Sequence, residues 1–176
     1  MAYTFLDPKI GVDAAVSATA TFGTANSDAK LKWPLGYPAA AVDSTYGYGE
    51  FVYVAGGASV AAGNAVVFRG NNSVSQLATA SNGSAGRVGI AYGAISASNV
   101  AGWVQVRGFA TPVTISSAAT LGDLCKIGST AGCIERSPAA SVAVANQIYG
   151  MFVASSQSAS SAAGIVVLDY PYVSGV

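Results

Sequence analysis

The side chains able to do covalent or acid–base chemistry are few in this chain, and they are widely spread. It contains no histidine, two cysteines and only two glutamates, Glu50 and Glu135. A serine or cysteine nucleophile paired with histidine needs an imidazole base, and the spacing of the carboxylates brings no two of them together. The glycines match neither a phosphate-binding loop nor a dinucleotide fingerprint. We therefore expect a protein that is not an enzyme, without catalytic residues, metal site or cofactor.

The two cysteines, Cys125 and Cys133, flank the segment KIGSTAG, which has the composition of a tight turn. If a hairpin is centred near Ser129, the two thiols face each other closely enough for a disulfide. In a reducing compartment the alternative is a pair of partly buried free thiols. Two cysteines without histidine make a poor zinc site. The segment therefore predicts a hairpin and leaves the pairing of the cysteines open.

The segment GWVQVRG alternates large polar or aromatic side chains with valines. Successive side chains of a strand point to opposite faces, so the pattern predicts Val104 and Val106 on one face and Trp103, Gln105 and Arg107 on the other. Trp and Arg are favoured at protein interfaces. Two interpretations stay open. Either the three residues contact another subunit, or Trp103 fills one end of a barrel and Arg107 pairs with a carboxylate at its rim.

The composition limits the class of partner. Hydrophobic residues make up 52% of the chain and charged residues 9%, with a net charge of zero, whereas soluble domains carry about 25% charged residues. This balance argues against capture of nucleic acid and gives little self-repulsion, which favours association. The sequence shows neither the pattern of a signal peptide nor an apolar run of membrane-spanning length. We expect a protein that is made in the cytoplasm and then joins an assembly.

The chain has two regions of different character. From residue 46 onward, short apolar segments such as GEFVYVAG, RVGIAYGAIS and AGIVVLDYP are separated by turns rich in Gly, Asn and Ser. This spacing predicts an all-β fold, a barrel or sandwich, over residues 46–176. Residues 1–45 have prolines and isolated large apolar residues, which predict an extended N-terminal arm; the alternative is a lid packed on its own domain. The anchors of the arm would be Tyr3, Phe5, Leu6, Phe22, Trp33 and Tyr37.

The order of these motifs resembles that of the small head decoration, or cement, proteins of tailed bacteriophages. The resemblance covers about residues 46–170. It is carried by AGNAVV at 62–67, VGIA at 88–91, GWVQVRG at 102–108, GD at 122–123 and AG at 131–132. Each motif is short and rich in glycine, and their succession carries the resemblance.

The resemblance implies a compact, barrel-like or β-tulip-like domain that forms trimers on the outside of an icosahedral shell and clamps neighbouring major capsid proteins. The partners would then be the major capsid protein and further copies of this chain, with no nucleic acid or membrane, and the protein would lie on the outer surface of the virion. Residues 1–45 do not match the family, so we add the hypothesis that the arm is mobile in the free protein and orders on the shell by pairing with the edge of a neighbouring strand. Two alternatives stay open: another virion part, such as a tail-tube or head-fibre subunit, and a displayed module for glycan binding or adhesion.

Overall fold

The computed structural model describes residues 4–5, 19–21, 33–79, 85–137, 146–158 and 162–174. These residues form a single sheet of twelve strands, which confirms the expected all-β fold. No helix in these ranges is long and apolar enough to span a membrane. The strands are β1 (Thr4–Phe5), β2 (Thr19–Thr21), β3 (Pro38–Asp43), β4 (Gly47–Ala55), β5 (Ala65–Phe68), β6 (Val74–Gln76), β7 (Gly86–Ala91), β8 (Val100–Ile115), β9 (Leu124–Ile127), β10 (Ile134–Ser137), β11 (Gln147–Val153) and β12 (Ala162–Val173).

Strands β8 and β12 organise the fold. Starting from β8, the sheet runs through β10, β9 and β11 to β12, and β12 pairs again with β8, both directly and through β7. The strands therefore close a ring, as expected for a barrel-like domain. The largest cluster of buried side chains includes residues from every strand of the ring, among them Ile127, Ile134, Ile148 and Leu168. Burial of these aliphatic side chains is the main term that stabilises the ring.

A second layer of sheet extends from the ring at strand β4. Strand β4 pairs with β8, and β3 pairs with β4 along its whole length, from Pro38 opposite Val52 to Asp43 opposite Gly47. Residues 38–43, which the sequence predicted to lie in the arm, therefore form a strand of the folded sheet. The predicted arm anchor Trp33 packs on this domain's own buried cluster, as does Tyr37. This packing is the alternative that the sequence left open.

The described part of residues 1–32 consists of two short strands. Strand β1 pairs with β3, with Phe5 opposite Ala41, and β2 pairs with β8, with Thr19 opposite Gly102. These residues therefore add to strands of this chain, whereas we had expected pairing with a neighbour. The predicted anchors Tyr3, Leu6 and Phe22 lie outside the described residues.

A bulge interrupts the alternation of β8. Tyr53 lies opposite Trp103 and Phe51 opposite Gln105, but Glu50 lies opposite Arg107, so that one residue of β8, Val106, is extra. A bulge of this kind shifts the following side chain to the other face of the strand. The predicted shared face of Trp103, Gln105 and Arg107 is therefore wrong for Arg107, since alternation alone cannot place a bulge.

The segment between the two cysteines forms a hairpin. Its register differs from the one that a disulfide would need. Ile127 lies opposite Ile134, so Cys125 faces Arg136 instead of Cys133. The amide of Gly128 donates to the carbonyl of Cys133 at 3.1 Å, which places the turn nearer the C-terminal side than Ser129. Both cysteines are free and buried. The possible disulfide is therefore not formed.

Candidate interaction surface

The three residues of GWVQVRG that the sequence singled out occupy different environments. Trp103 is 3% exposed, and its ring lies 5.0 Å from the ring of Tyr53 and 5.3 Å from that of Trp33. Gln105 is 1% exposed, and its amide donates to the carbonyls of Arg107 and Phe109. Only Arg107 reaches the surface. Of the three residues, Arg107 alone is exposed enough to contact another subunit. That it does so stays a prediction.

Glu50 connects β4 to the two strands that close the ring. Its carboxylate accepts hydrogen bonds from the guanidinium of Arg107 at 3.0 Å and from the hydroxyl of Tyr48 at 2.9 Å. The hydroxyl of Tyr170, on β12, donates to the second carboxylate oxygen. Asp169 lies 3.8 Å from Arg107 on the other side. Arg107 thus pairs with a carboxylate, as in the second interpretation of the sequence, whereas Trp103 packs in the cluster shared with β3 and β4 and not in the core of the ring.

These contacts shift the ionisation of the groups that take part in them. The hydrogen bond from Tyr170 lowers the pKa of Glu50, and the bonds from Arg107 and Tyr48 lower it further, against the opposing effect of burial. The same bonds to Glu50 raise the pKa of Tyr170 and of Tyr48. At neutral pH the cluster therefore consists of a carboxylate, a guanidinium and two neutral phenols.

The backbone at Tyr170 is held in an unusual conformation. Its φ angle is +47°, in the left-handed region, which costs a non-glycine residue about 1 kcal/mol. Its ring lies against the guanidinium of Arg107, 5.8 Å from the centroid, and its hydroxyl reaches Glu50. Backbone strain of this kind often accompanies a functional surface. Here it turns Tyr170 toward a cleft beside β4.

The cleft has a volume of about 650 Å³ and lies on the face of β4 that carries Glu50. Its apolar lining comes from β3, β4, β5 and β8, and includes Ala40, Val52, Phe68 and Val106. Its polar lining consists of Tyr48, Glu50, Asn72, Arg87 and Tyr170. The cleft therefore combines an apolar interior with a small number of polar groups, an arrangement typical of binding sites.

Arg87, at the start of β7, differs from the other charged groups of the cleft. Its guanidinium carbon lies 4.7 Å from the centroid of the Phe68 ring, a cation–π contact. Among the residues that the structure describes, it has no carboxylate partner. Since stacking on Phe68 leaves the N–H donors at the edge of the guanidinium available, Arg87 can bind an anion in the cleft.

A row of apolar side chains crosses the outside of the ring. Leu124 lies opposite Phe152, Phe152 opposite Val167, and Val167 opposite Phe109, so that four neighbouring strands contribute one residue each. Paired residues of adjacent strands share a face, and here that face is open: Leu124, Phe152 and Phe109 are each 40% exposed. We call these four residues the apolar row. Aligned exposure of large apolar side chains is typical of an interaction surface.

A second depression joins the cleft to the apolar row. It has a volume of about 420 Å³ and is lined by Tyr48 and Arg107 on one side and by Phe152 and Val167 on the other. Tyr48 lines both cavities. The cleft, the Glu50 cluster and the apolar row therefore form one continuous surface.

The cysteines lie away from this surface and are poorly suited to reaction. Burial raises the pKa of the Cys125 thiol to about 12, with a smaller contribution from the charge of Asp123. Burial also raises the pKa of Cys133, as does the charge of Glu135. A thiol reacts as the thiolate, so the raised pKa values disfavour reaction of both cysteines in the folded chain at neutral pH. In the described ranges, no group of three or more Cys, Asp or Glu side chains could hold a metal ion.

The residues of this surface that the sequence analysis missed include Tyr48, Phe68, Arg87, Phe109, Leu124, Phe152, Val167 and Tyr170. The alternation of side chains along YGYGEF and QIYGMFVAS predicts two of them. Because Phe51 and Met151 are buried, alternation along each strand turns Tyr48 and Phe152 outward. Comparison of the sequence with models of known protein families and with curated proteins found no match.

Proposed function

We propose that this chain is a non-enzymatic structural protein of a bacteriophage head, which binds the outer surface of the icosahedral shell as a trimer and cements neighbouring major capsid proteins. The observation that carries the proposal is the apolar row, a surface that water covers poorly and a neighbouring protein covers well. In the trimer, the row of each subunit lies against a neighbouring copy of the chain. The resemblance of the strand motifs to those of head decoration proteins is the reason for naming a phage head as the assembly.

The distribution of charge supports a role in assembly. In the described ranges the ion pairs are Arg107 with Glu50 and Asp169, Lys126 with Glu135, and Arg136 with Asp123. Such pairs neutralise charge at the surface, and the whole chain has no net charge. Copies of the chain therefore repel one another little, which permits dense packing on a shell.

A rigid ring of strands also suits a cementing role. The ring is closed by direct pairing of β8 and β12, so it has no free edge at that point and resists opening under load. Many copies bound side by side would add avidity, so that each single contact can remain weak.

Quantitative mass spectrometry of purified particles tests the function. The proposal predicts a copy number close to that of the major shell protein, because a cementing subunit occupies sites over the whole shell. A few copies per particle would instead indicate a tail or fibre subunit. Complete absence from the particle would contradict a virion role.

A further inference from the structure

Two arginines stand apart from the charge pattern of the described residues. Of the five Arg and Lys side chains in the described ranges, Arg107, Lys126 and Arg136 pair with carboxylates, whereas Arg69 and Arg87 do not. Arg69 donates to the hydroxyl of Ser75 and does not line the cleft. Arg87 lines the cleft and is stacked on Phe68. The cleft thus presents one cation that is held in place and not neutralised.

The other polar side chains of the cleft each make at least one hydrogen bond within the chain. Both carboxylate oxygens of Glu50 accept hydrogen bonds, from Arg107 and Tyr48 on one oxygen and from Tyr170 on the other. The amide nitrogen of Asn72 donates to the carbonyl of Leu35 at 3.2 Å. A sugar needs several free hydrogen-bond partners for its hydroxyls, and this cleft offers few. The chemistry favours an occupant with an apolar body and one anionic group.

We propose that the cleft binds a peptide segment in which a carboxylate side chain stands next to a large apolar side chain. The carboxylate pairs with the guanidinium of Arg87, whose planar donors match a carboxylate, and the apolar side chain rests on Val52, Val106 and Phe68. This inference rests on the proposed function only in naming the source of the segment, which is the shell protein. The apolar row and the cleft then divide the work, with the row contacting sister copies and the cleft contacting the shell.

The test uses two short probes, N-acetyl-leucyl-glutamate amide and N-acetyl-leucyl-glutamine amide, added to the full chain and followed by NMR. The glutamate probe shifts the side-chain Nε signal of Arg87 and the amide signals of Val52 and Val106, with a Kd of about 1 mM. The glutamine probe binds about tenfold more weakly, because it cannot form the charged pair. Arg87→Gln weakens the glutamate probe by the same factor. Arg69→Gln is the matched control and leaves the affinity within about twofold, since Arg69 is outside the cleft.

Three results would overturn the inference: equal affinity for the two probes, an equal loss in Arg69→Gln and Arg87→Gln, or cleft signals that respond to N-acetylglucosamine but not to the peptide. Binding of each variant to particles stripped of this chain separates the inference from the function. Arg87→Gln is expected to lower the occupancy of the particles by about tenfold while Arg69→Gln does not. If wild-type chain coats the particles and Arg87→Gln coats them equally well, the cleft inference fails while the function stands. If the glutamate probe binds but wild-type chain is absent from native particles, the proposed function fails.

Discussion

Strand β8 carries an aromatic side chain on each side of its bulge, and the two differ in burial. Trp103 is enclosed by Tyr53 and Trp33, from β4 and the segment before β3. Phe109 lies on the outside of the ring opposite Val167 and is 40% exposed, and its ring centroid is 6.4 Å from that of Tyr46. Both side chains are aromatic, so the difference comes from what the rest of the chain places over each face. One end of β8 is therefore buried within the fold, and the other is partly exposed.

The largest expected effect separates these two ends. Trp103→Ala removes a buried ring from a cluster that cannot collapse around the gap, and it should lower the free energy of unfolding by about 3–5 kcal/mol. Phe109→Ala is the matched control on the same strand, and it should lower the free energy of unfolding by only about 1–2 kcal/mol, because its side chain is 40% exposed in the folded chain. Urea unfolding of the two variants measures both values. Similar losses in the two variants would remove the distinction.

Gln105 links the buried end of β8 to the exposed one across the bulge. Gln105→Leu takes away the amide that donates to the carbonyls of Arg107 and Phe109, and the loss of these buried hydrogen bonds should cost about 1–3 kcal/mol. Urea unfolding gives the size of the loss. NMR shifts of the amides from 106 to 109 should change together, since the bulge loses its internal support. A variant with wild-type stability would show that the bulge holds without Gln105.

A substitution at Tyr53 tests whether the hydroxyl of this residue lowers the stability of the buried aromatic cluster. Its hydroxyl is buried and finds no hydrogen-bond partner among the residues that the structure describes, and burial raises its pKa. Tyr53→Phe removes this unsatisfied group and keeps the ring, so it should stabilise the fold by about 1 kcal/mol. Tyr172→Phe, where the hydroxyl is exposed, is the control and should change little. A loss of stability in Tyr53→Phe, measured by thermal unfolding, would show that the hydroxyl is used.

The smallest effect concerns pH and the Glu50 cluster. Because the pKa of Glu50 is lower in the folded chain than in the unfolded chain, its contribution is present above the unfolded pKa and is lost as the pH falls through the folded pKa. Glu50→Gln should lower stability at pH 7 by up to about 1 kcal/mol, and the difference from wild type should vanish in acid. Tyr170→Phe removes the largest cause of the lowered pKa, so in this variant the loss of stability in acid should be smaller and should end at a higher pH. Unfolding curves that stay parallel from pH 7 into acid would contradict this.

Much of the fold follows from local patterns in the sequence. Alternation along GEFVYVAG places Val52 and Val54 on one face and Phe51 and Tyr53 on the other, and the two sets do belong to different buried clusters. Turn-forming residues marked where the strands end. These signals are local, since each depends on residues within one strand or one turn, and such signals are read reliably from a single sequence.

The surface was less accessible to prediction because it depends on register. The bulge at Val106 places Arg107 opposite Glu50, and no residue type in this segment predicts a bulge there. The register of β9 and β10 differs from the one that a turn centred on Ser129 would give. In the observed register the two cysteines do not face each other. Arg87 and Phe68 come from different strands and meet only through the pairing of β5 with β7. Long-range pairing decides such contacts, and the spacing of residues along the chain does not contain it.

The most direct test of the central claim is hydroxyl-radical footprinting of the assembled particle, read residue by residue with mass spectrometry. The oxidation rate of each side chain is compared with its rate in the unfolded chain. We predict that on the particle Phe109 and Phe152 are protected to nearly the same degree as Trp103, because a neighbouring protein covers the apolar row. Oxidation of Phe109 and Phe152 at close to the unfolded rate, with Trp103 still protected, would show that nothing covers the row and would contradict its role in assembly.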